Sequence, residues 1–418
     1  MVKTIEMRTS SGLFFTQAPR FFPCVLSAIV ACSSSGKGAP DPSNDAGGAD
    51  ASDPCASIRE SCRAKQQACD ATGAAPKCVA CQGGQYASAA GACATIEGTA
   101  LGHTFSDFTV KPGEEILALC QSWTLGNATE LWVNAVEFSQ NDASHHSNWT
   151  FVPSDQYDGP DGVWKCSDRS YDQLSGALAG GVLYAQSTQA AREVQKFPAG
   201  TAIRIPPWSR IIGDVHLLNA LQSAVTGHVA LKLYSVPLDQ VKVKLVPFHM
   251  TYRGLDIPAR SSARFTGECS LADAFTAVGS RFGSKLYYVL PHYHALGTRF
   301  FVDVMGGPLD GKSLFEVKGF DSEARGHAFD PPIDLTGATG LRFGCEFGNE
   351  RDTHVPWGYG PNEMCEFLGF AEESVAFEST VGTATAAGTD GATKLFTGAC
   401  STVAFPWDFK KPGGPAPK

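Results

Sequence analysis

"KLYYVLPHYHALGTRFFVDVM", residues 285–305, reads as extended chain. It is rich in Tyr, Val and Phe, which suit a pleated surface, and it lacks the apolar repeat of an amphipathic helix. His292 and His294 stand two apart within it. On a strand, both imidazoles would leave the same face at neighbouring pleats. A strand can present two nitrogen donors to one metal in this way, although bare His-x-His pairs are also common on surfaces.

Similar runs extend on both sides: "EILALCQSWTL" (115–125), "ELWVNAVEF" (130–138), "TAIRIPP" (201–207), "HVALKLYSV" (228–236), "VKVKLVPFHMTY" (241–252) and "TGLRFGCEFG" (339–348). Gly, Pro, Asn and Asp clusters separate them. The best candidate for a helix is the short "SLADAFTAVGSRF" (270–282). Many short strands with turn signals predict an all-β fold. We expect two consecutive antiparallel β-sandwich, jelly-roll-like domains, 97–238 and 239–408, joined near "SVPLDQVKV" (235–243). A Pro/Gly-rich tail, 409–418, follows them.

Composition fits this reading. Of 418 residues 43% are hydrophobic and only 18% charged, with 44 Gly and 25 Pro, a turn-rich balance poor in the residues of exposed helices. A net charge of −9 argues against nucleic acid or an anionic membrane surface as partner. Lys3, Arg8 and Arg20 precede the apolar run "FFPCVLSAIVA" (21–31), so residues 1–31 read as an export signal. The run ends in "IVAC", which resembles a bacterial lipobox with Cys32 as the lipidated residue. Ordinary secretion is the alternative, and Met7 is a second candidate start. Residues 32–54 have almost no apolar bulk and read as a flexible tether. The expected location is the bacterial envelope or cell surface, with membrane contact only through that lipid.

Six of the 14 cysteines crowd into 55–93: Cys55, Cys62, Cys69, Cys78, Cys81 and Cys93. "CVAC" (78–81) could mark a zinc site, but no His lies in this interval and the spacings are irregular, so three disulfides are expected across 55–96. A segment this short has too little core to fold without staples. Six more cysteines, Cys120, Cys166, Cys269, Cys345, Cys365 and Cys400, are scattered.

Three other segments carry candidate chemistry. "SQNDASHHSNWTFVP" (139–153) holds adjacent His145 and His146, which alternation would send to opposite faces unless the chain bends. "GDVHLLN" (213–219) places His216 in a β-like run, where a lone histidine is more often a satisfied core residue. In "GPNEMCEFLGF" (360–370), Met364 is either a core methionine or a soft thioether ligand suited to Cu(I). His103, His228, His249 and His327 have no partner pattern and read as ordinary surface or core residues.

Taken together, His145-His146, Val215-His216, His292-Tyr293-His294 and Glu363-Met364-Cys365 resemble, in order and spacing, the ascorbate-dependent type II copper monooxygenases, the family of peptidylglycine α-hydroxylating monooxygenase and dopamine β-hydroxylase. "VKPGEEILALCQSW", "NAVEFSQNDASHH", "FPAGTAIRIPP" and "RDTHVPWGYGPNEMC" resemble the family's flanking text, and the likeness covers roughly 98–405. It implies two mononuclear copper sites. His145, His146 and His216 would hold an electron-storing copper, and His292, His294 and Met364 the copper that meets O2, with ascorbate or another reductant as co-substrate. It also implies disulfides Cys120–Cys166 and Cys345–Cys365, which leaves Cys269–Cys400. His354, in the loop before Met364, has a counterpart in the family's loop.

The substrate positions depart from the family. Leu290 and Leu368 stand where the peptide-amidating members carry an Arg and a Tyr that grip a carboxylate. Without them a carboxylate would be desolvated with little compensation. Asp214 replaces a neutral amide and would tune the site, touch substrate or face solvent. The expectation is hydroxylation of a small apolar or aromatic molecule; the alternative is a copper-binding or electron-transfer envelope protein on the same fold.

Overall fold

The computed structural model describes residues 53–141, 144–186, 190–219, 221–320 and 326–416; for Ala64, Ser144 and His145 it describes the backbone alone. The expected export signal, Cys32 and nearly all of the tether lie outside the described residues. Strands dominate, joined by a few short helices. The fold is of the β-sandwich class.

Alternation builds the strands. In Val229–Ser235 the apolar residues Val229, Leu231 and Leu233 are buried while Ala230 and Lys232 between them are not. A five-stranded antiparallel sheet carries, in order, Gly162–Lys165, Glu115–Thr124, Ser209–Leu218, Ser144–Pro153 and Gly181–Ala185. Its inner face packs Trp149, Phe151, Ile211 and Val215 against Val136, Phe138, Leu231 and Leu233 of the facing strands. Gly213 stands opposite Trp149 in the register, and a Cβ there would lie 2.5 Å from the indole ring. Glycine leaves room for the ring.

In the second half, a six-stranded sheet that includes Ser261–Ser270, Gly297–Met305 and Gly340–Asn349 packs Phe265, Phe300 and Phe343 against Phe248, Tyr252 and Phe367. The sequence does not suggest how the halves join. An eleven-stranded sheet runs through both, because Thr201–Ile205 pairs in parallel with Val243–Tyr252, Thr201 opposite Val243. Leu245, Tyr288, Leu290 and Phe370 accordingly join the core of the first half. The antiparallel expectation needs correcting at three places. Besides that pair, Val243–Tyr252 runs parallel to Val375–Val381, and Ser261–Ser270 to Thr393–Ala399. The predicted helix is real but shorter, Leu271–Ala277.

Among the described residues six disulfides are present: Cys55–Cys69, Cys62–Cys78, Cys81–Cys93, Cys120–Cys166, Cys269–Cys400 and Cys345–Cys365. They indicate folding in an oxidising environment. Among the described residues no helix is long and apolar enough to cross a membrane.

The Cys-rich segment caps the first half. The Gln66 side chain exchanges two hydrogen bonds with the Val194 backbone, at 2.9 and 2.7 Å. Buried Glu137 accepts the Gly84 N–H, the Tyr234 hydroxyl and the Arg192 guanidinium. The chain end is docked too. Arg204 donates to the Lys411 carbonyl at 2.9 Å and Ser154 Oγ to the Pro415 carbonyl at 2.7 Å, so the second half reaches back across the first.

Candidate metal centre

His216 pairs with His146 across adjacent strands, but Leu217 pairs with Ser144, leaving His145 as an extra residue. This is a β-bulge, and its two-for-one count suspends the strict alternation of a regular strand. A second irregularity lies on the other side of His216, where Val215 pairs with Leu119 but Leu217 with Ile116, and Ala118 has φ 53°. The expected bend at the histidine doublet is therefore present in the backbone. The side chain of His145 lies outside the described residues.

His146 and His216 are both buried, with His146 Nε2 3.0 Å from His216 Nδ1. His216 Nε2 lies 2.8 Å from Glu115 Oε1, so its proton belongs on Nε2 and the Nδ1 lone pair faces His146. Burial lowers the pKa of His216 against the opposing pull of Glu115.

The other two histidines come from the edge where Lys285–Tyr293 meets Cys365–Glu372, His292 opposite Glu366 and Tyr293 opposite Cys365. The pairing ends there, with His294 and Met364 the next residues along the two chain segments. Buried Glu363 clasps the turn there: Oε2 accepts His294 N–H at 2.9 Å and Oε1 accepts Leu296 N–H at 2.7 Å. Burial raises the Glu363 pKa to about 7 despite those hydrogen bonds. His294 Nδ1 donates to the Asn362 carbonyl at 2.8 Å. Its Nε2 is then a lone pair, buried and without a hydrogen-bond partner among the described residues. Burial also lowers this histidine's pKa, keeping the ring neutral. Met364 is 3% exposed, and the Cys345–Cys365 bridge pins the backbone beside it.

The two sets meet. Ring centroids are 4.9 Å apart for His146 and His216, 5.5 Å for His146 and His292, and 5.1 Å for His292 and His294. Among the described residues no group of three or more His, Cys, Asp or Glu side chains is arranged to hold a metal ion. Each expected triad contributes only two such side chains to the description, because its third member is His145 or a thioether. The donor chemistry still fits copper: two buried imidazoles on one side, and on the other a partnerless imidazole nitrogen and a buried thioether.

A cavity of about 480 Å³ adjoins these side chains and is lined by His146, His292, Met364, Leu290 and Leu368. Leu290 and Leu368 thus line the same cavity as the candidate ligands. Asp214 also lines it and accepts from Gln173 Nε2 at 2.9 Å, with burial raising its pKa.

No protein-family model matches the chain, and no curated protein matches it. Among solved structures it is similar to the major capsid protein P2 of bacteriophage PM2, at 8% identity and TM-score 0.29, covering 66% of this chain and 97% of that one. PBCV-1 VP54, fitted into a reconstruction of the virophage Sputnik, gives 7% identity and TM-score 0.22, covering 66% and 94%. Neither likeness bears on function.

Other histidines have partners of their own. His354 is exposed and lies 3.1 Å from Asp256. His103 stacks on Trp123, and half-buried His249 faces Glu366 and Glu378. Of the three positioning residues, Glu363 stands in the sequence motif directly before Met364, whereas Glu115 and Asn362 act through contacts that only the fold creates.

Proposed function

We propose that this chain is a copper-dependent monooxygenase that hydroxylates a C–H bond of a small apolar or aromatic molecule, using O2 and ascorbate or another one-electron reductant. The observation that supports it most is His294. Its Nδ1–H is committed to Asn362, and its buried Nε2 is left without a partner among the described residues, with the His292 ring centroid 5.1 Å from its own. An orphaned buried nitrogen costs on the order of 1–3 kcal/mol unless something occupies it, and a metal does so.

On this reading His145, His146 and His216 hold one copper and His292, His294 and Met364 the other. Bound copper supplies the one-electron couple and the means of reducing O2. Glu115 fixes the tautomer of His216 so that Nδ1 is the donor atom. Asn362 does the same for His294, in the opposite sense. Glu363 holds the 294–296 backbone against the Met364 segment, and the Cys345–Cys365 bridge restrains the thioether. Leu290 and Leu368 keep water and anions from the cavity, which disfavours peptide carboxylates. The cavity shared by His146, His292 and Met364 favours turnover over a copper-binding or electron-transfer role.

The finer organisation belongs to the same proposal: sandwich modules over 97–238 and 239–408, export to the bacterial envelope, and an anchor on Cys32. Copper retained after dialysis, together with ascorbate-dependent O2 uptake coupled to a hydroxylated product from a panel of aromatics, amines and peptides, tests the reading. A chain that keeps copper but turns over none of the panel would support the electron-transfer role. One that keeps no copper would overturn the metal assignment.

A further inference from the structure

We propose that the cavity takes a neutral, elongated, largely hydrocarbon molecule, entering between the helix Gln173–Ala179 and the chain end at Phe405 and Trp407. This rests on the monooxygenase reading and names the substrate class of that site.

The lining changes from buried to exposed along the cavity. Met364 and Leu290 are 3% and 2% exposed, whereas Leu174 and Leu178, lining the same cavity, are 49% and 45% exposed. These two leucines are four apart, on one face of the short helix. Phe405 and Trp407 line the opposite side of that rim. A half-exposed rim could be polar at no cost to folding. Apolar side chains gathered there mark a surface that meets an apolar ligand.

Several polar groups of the lining are engaged with one another or with their neighbours. Gln173 Nε2 donates to Asp214 at 2.9 Å, and Asn148 Nδ2 donates to Gln173 Oε1 at 3.0 Å. Glu366 accepts from Thr251 Oγ1 at 3.1 Å and faces His249 Nε2 at 3.6 Å. Arg253 lies over the Trp357 ring, 5.1 Å from its centroid. These contacts occupy the lining charges, Asp214 through a neutral amide and Arg253 through an aromatic face. An anion would meet Asp214, Glu366 and Glu378, while an ammonium would compete for carboxylates already engaged.

Two buried donors have no partner among the described residues, Gln186 Nε2 and Trp357 Nε1, and both residues line the cavity. A neutral oxygen, such as a hydroxyl or carbonyl, suits either donor. A cavity of about 480 Å³ is within the ordinary range for small-molecule sites.

The test uses the full chain freed of copper, so its outcome is independent of the metal assignment. A neutral fluorescent reporter, N-phenyl-1-naphthylamine, is displaced by 5-phenylpentanol, 5-phenylpentylammonium or 5-phenylpentanoate, three ligands of one shape and different charge. The alcohol should bind tightest, and each ion at least about tenfold more weakly, because an unpaired charge must be desolvated. Leu178→Glu and Leu174→Glu, at exposed positions that leave the fold intact, should each weaken the alcohol about tenfold. Equal or tighter binding of either ion, no binding of the alcohol, or unchanged affinity in both rim variants would overturn the proposal.

Discussion

Glu363 is the acid that clasps the His294 turn, and its titration can be read as stability. Burial raises its pKa from 4.5 to about 7. Between those values the folded chain holds a proton that the unfolded chain has released. Its contribution is therefore complete below pH 4.5 and is lost as the pH rises through about 7. At about 1.4 kcal/mol per pH unit, the interval amounts to about 3 kcal/mol, of which about 2.5 falls between pH 5 and 8. Glu363→Gln cannot titrate. It also leaves one of the two backbone N–H groups facing an amide NH2, a cost of about 1–3 kcal/mol at every pH. Urea unfolding of the copper-free wild type and variant at pH 5 and pH 8 isolates the effect, since all other titrations cancel in the difference. The advantage of the wild type should shrink by about 2.5 kcal/mol on going to pH 8. A gap that changes by less than about 1 kcal/mol would mean that Glu363 is ionised throughout, and the account of the clasp would be wrong.

Met364→Leu keeps the buried volume and removes the sulfur. It should cost under about 1.5 kcal/mol in stability and abolish hydroxylation while copper on the His146–His216 side remains, as metal analysis and product assay would show. Gly213→Ala would drive a Cβ to 2.5 Å from the fully buried Trp149 ring. A loss of about 1–3 kcal/mol should appear as a lower unfolding midpoint. Gly413→Ala would place a Cβ 1.6 Å from the Pro207 carbonyl oxygen and lift the chain end off the first half. Carboxypeptidase should then trim the last residues faster, with little change in the melting temperature.

The strands were legible where burial alternates, as in Val229–Ser235, because one wetted and one packed face impose a period of two on the sequence. The candidate ligands were legible as ordered motifs, while the doublet at 145–146 left a choice between opposite faces and a bend, and the backbone has a bulge there. Register and strand direction were not. Nothing local in "TAIRIPP" or "VKVKLVPFHMTY" says that the two runs pair in parallel across the joint, since that pairing depends on the fold around both. Glu115 was equally hidden: it reaches His216 from 101 residues away through a neighbouring strand with its own bulge. The Pro/Gly-rich end read as a loose tail because its composition offers little to bury. Its docking instead uses backbone carbonyls and glycines that let it approach Pro207 and Ser154 closely.

The most direct test of the metal assignment is X-ray absorption at the copper edge on the reduced, copper-loaded chain, alongside Met364→Leu. Two coppers per chain are expected, with nitrogen around both and a sulfur scatterer on one that vanishes in the variant. A chain that retains no copper, or a sulfur signal that survives the loss of Met364, would contradict the account.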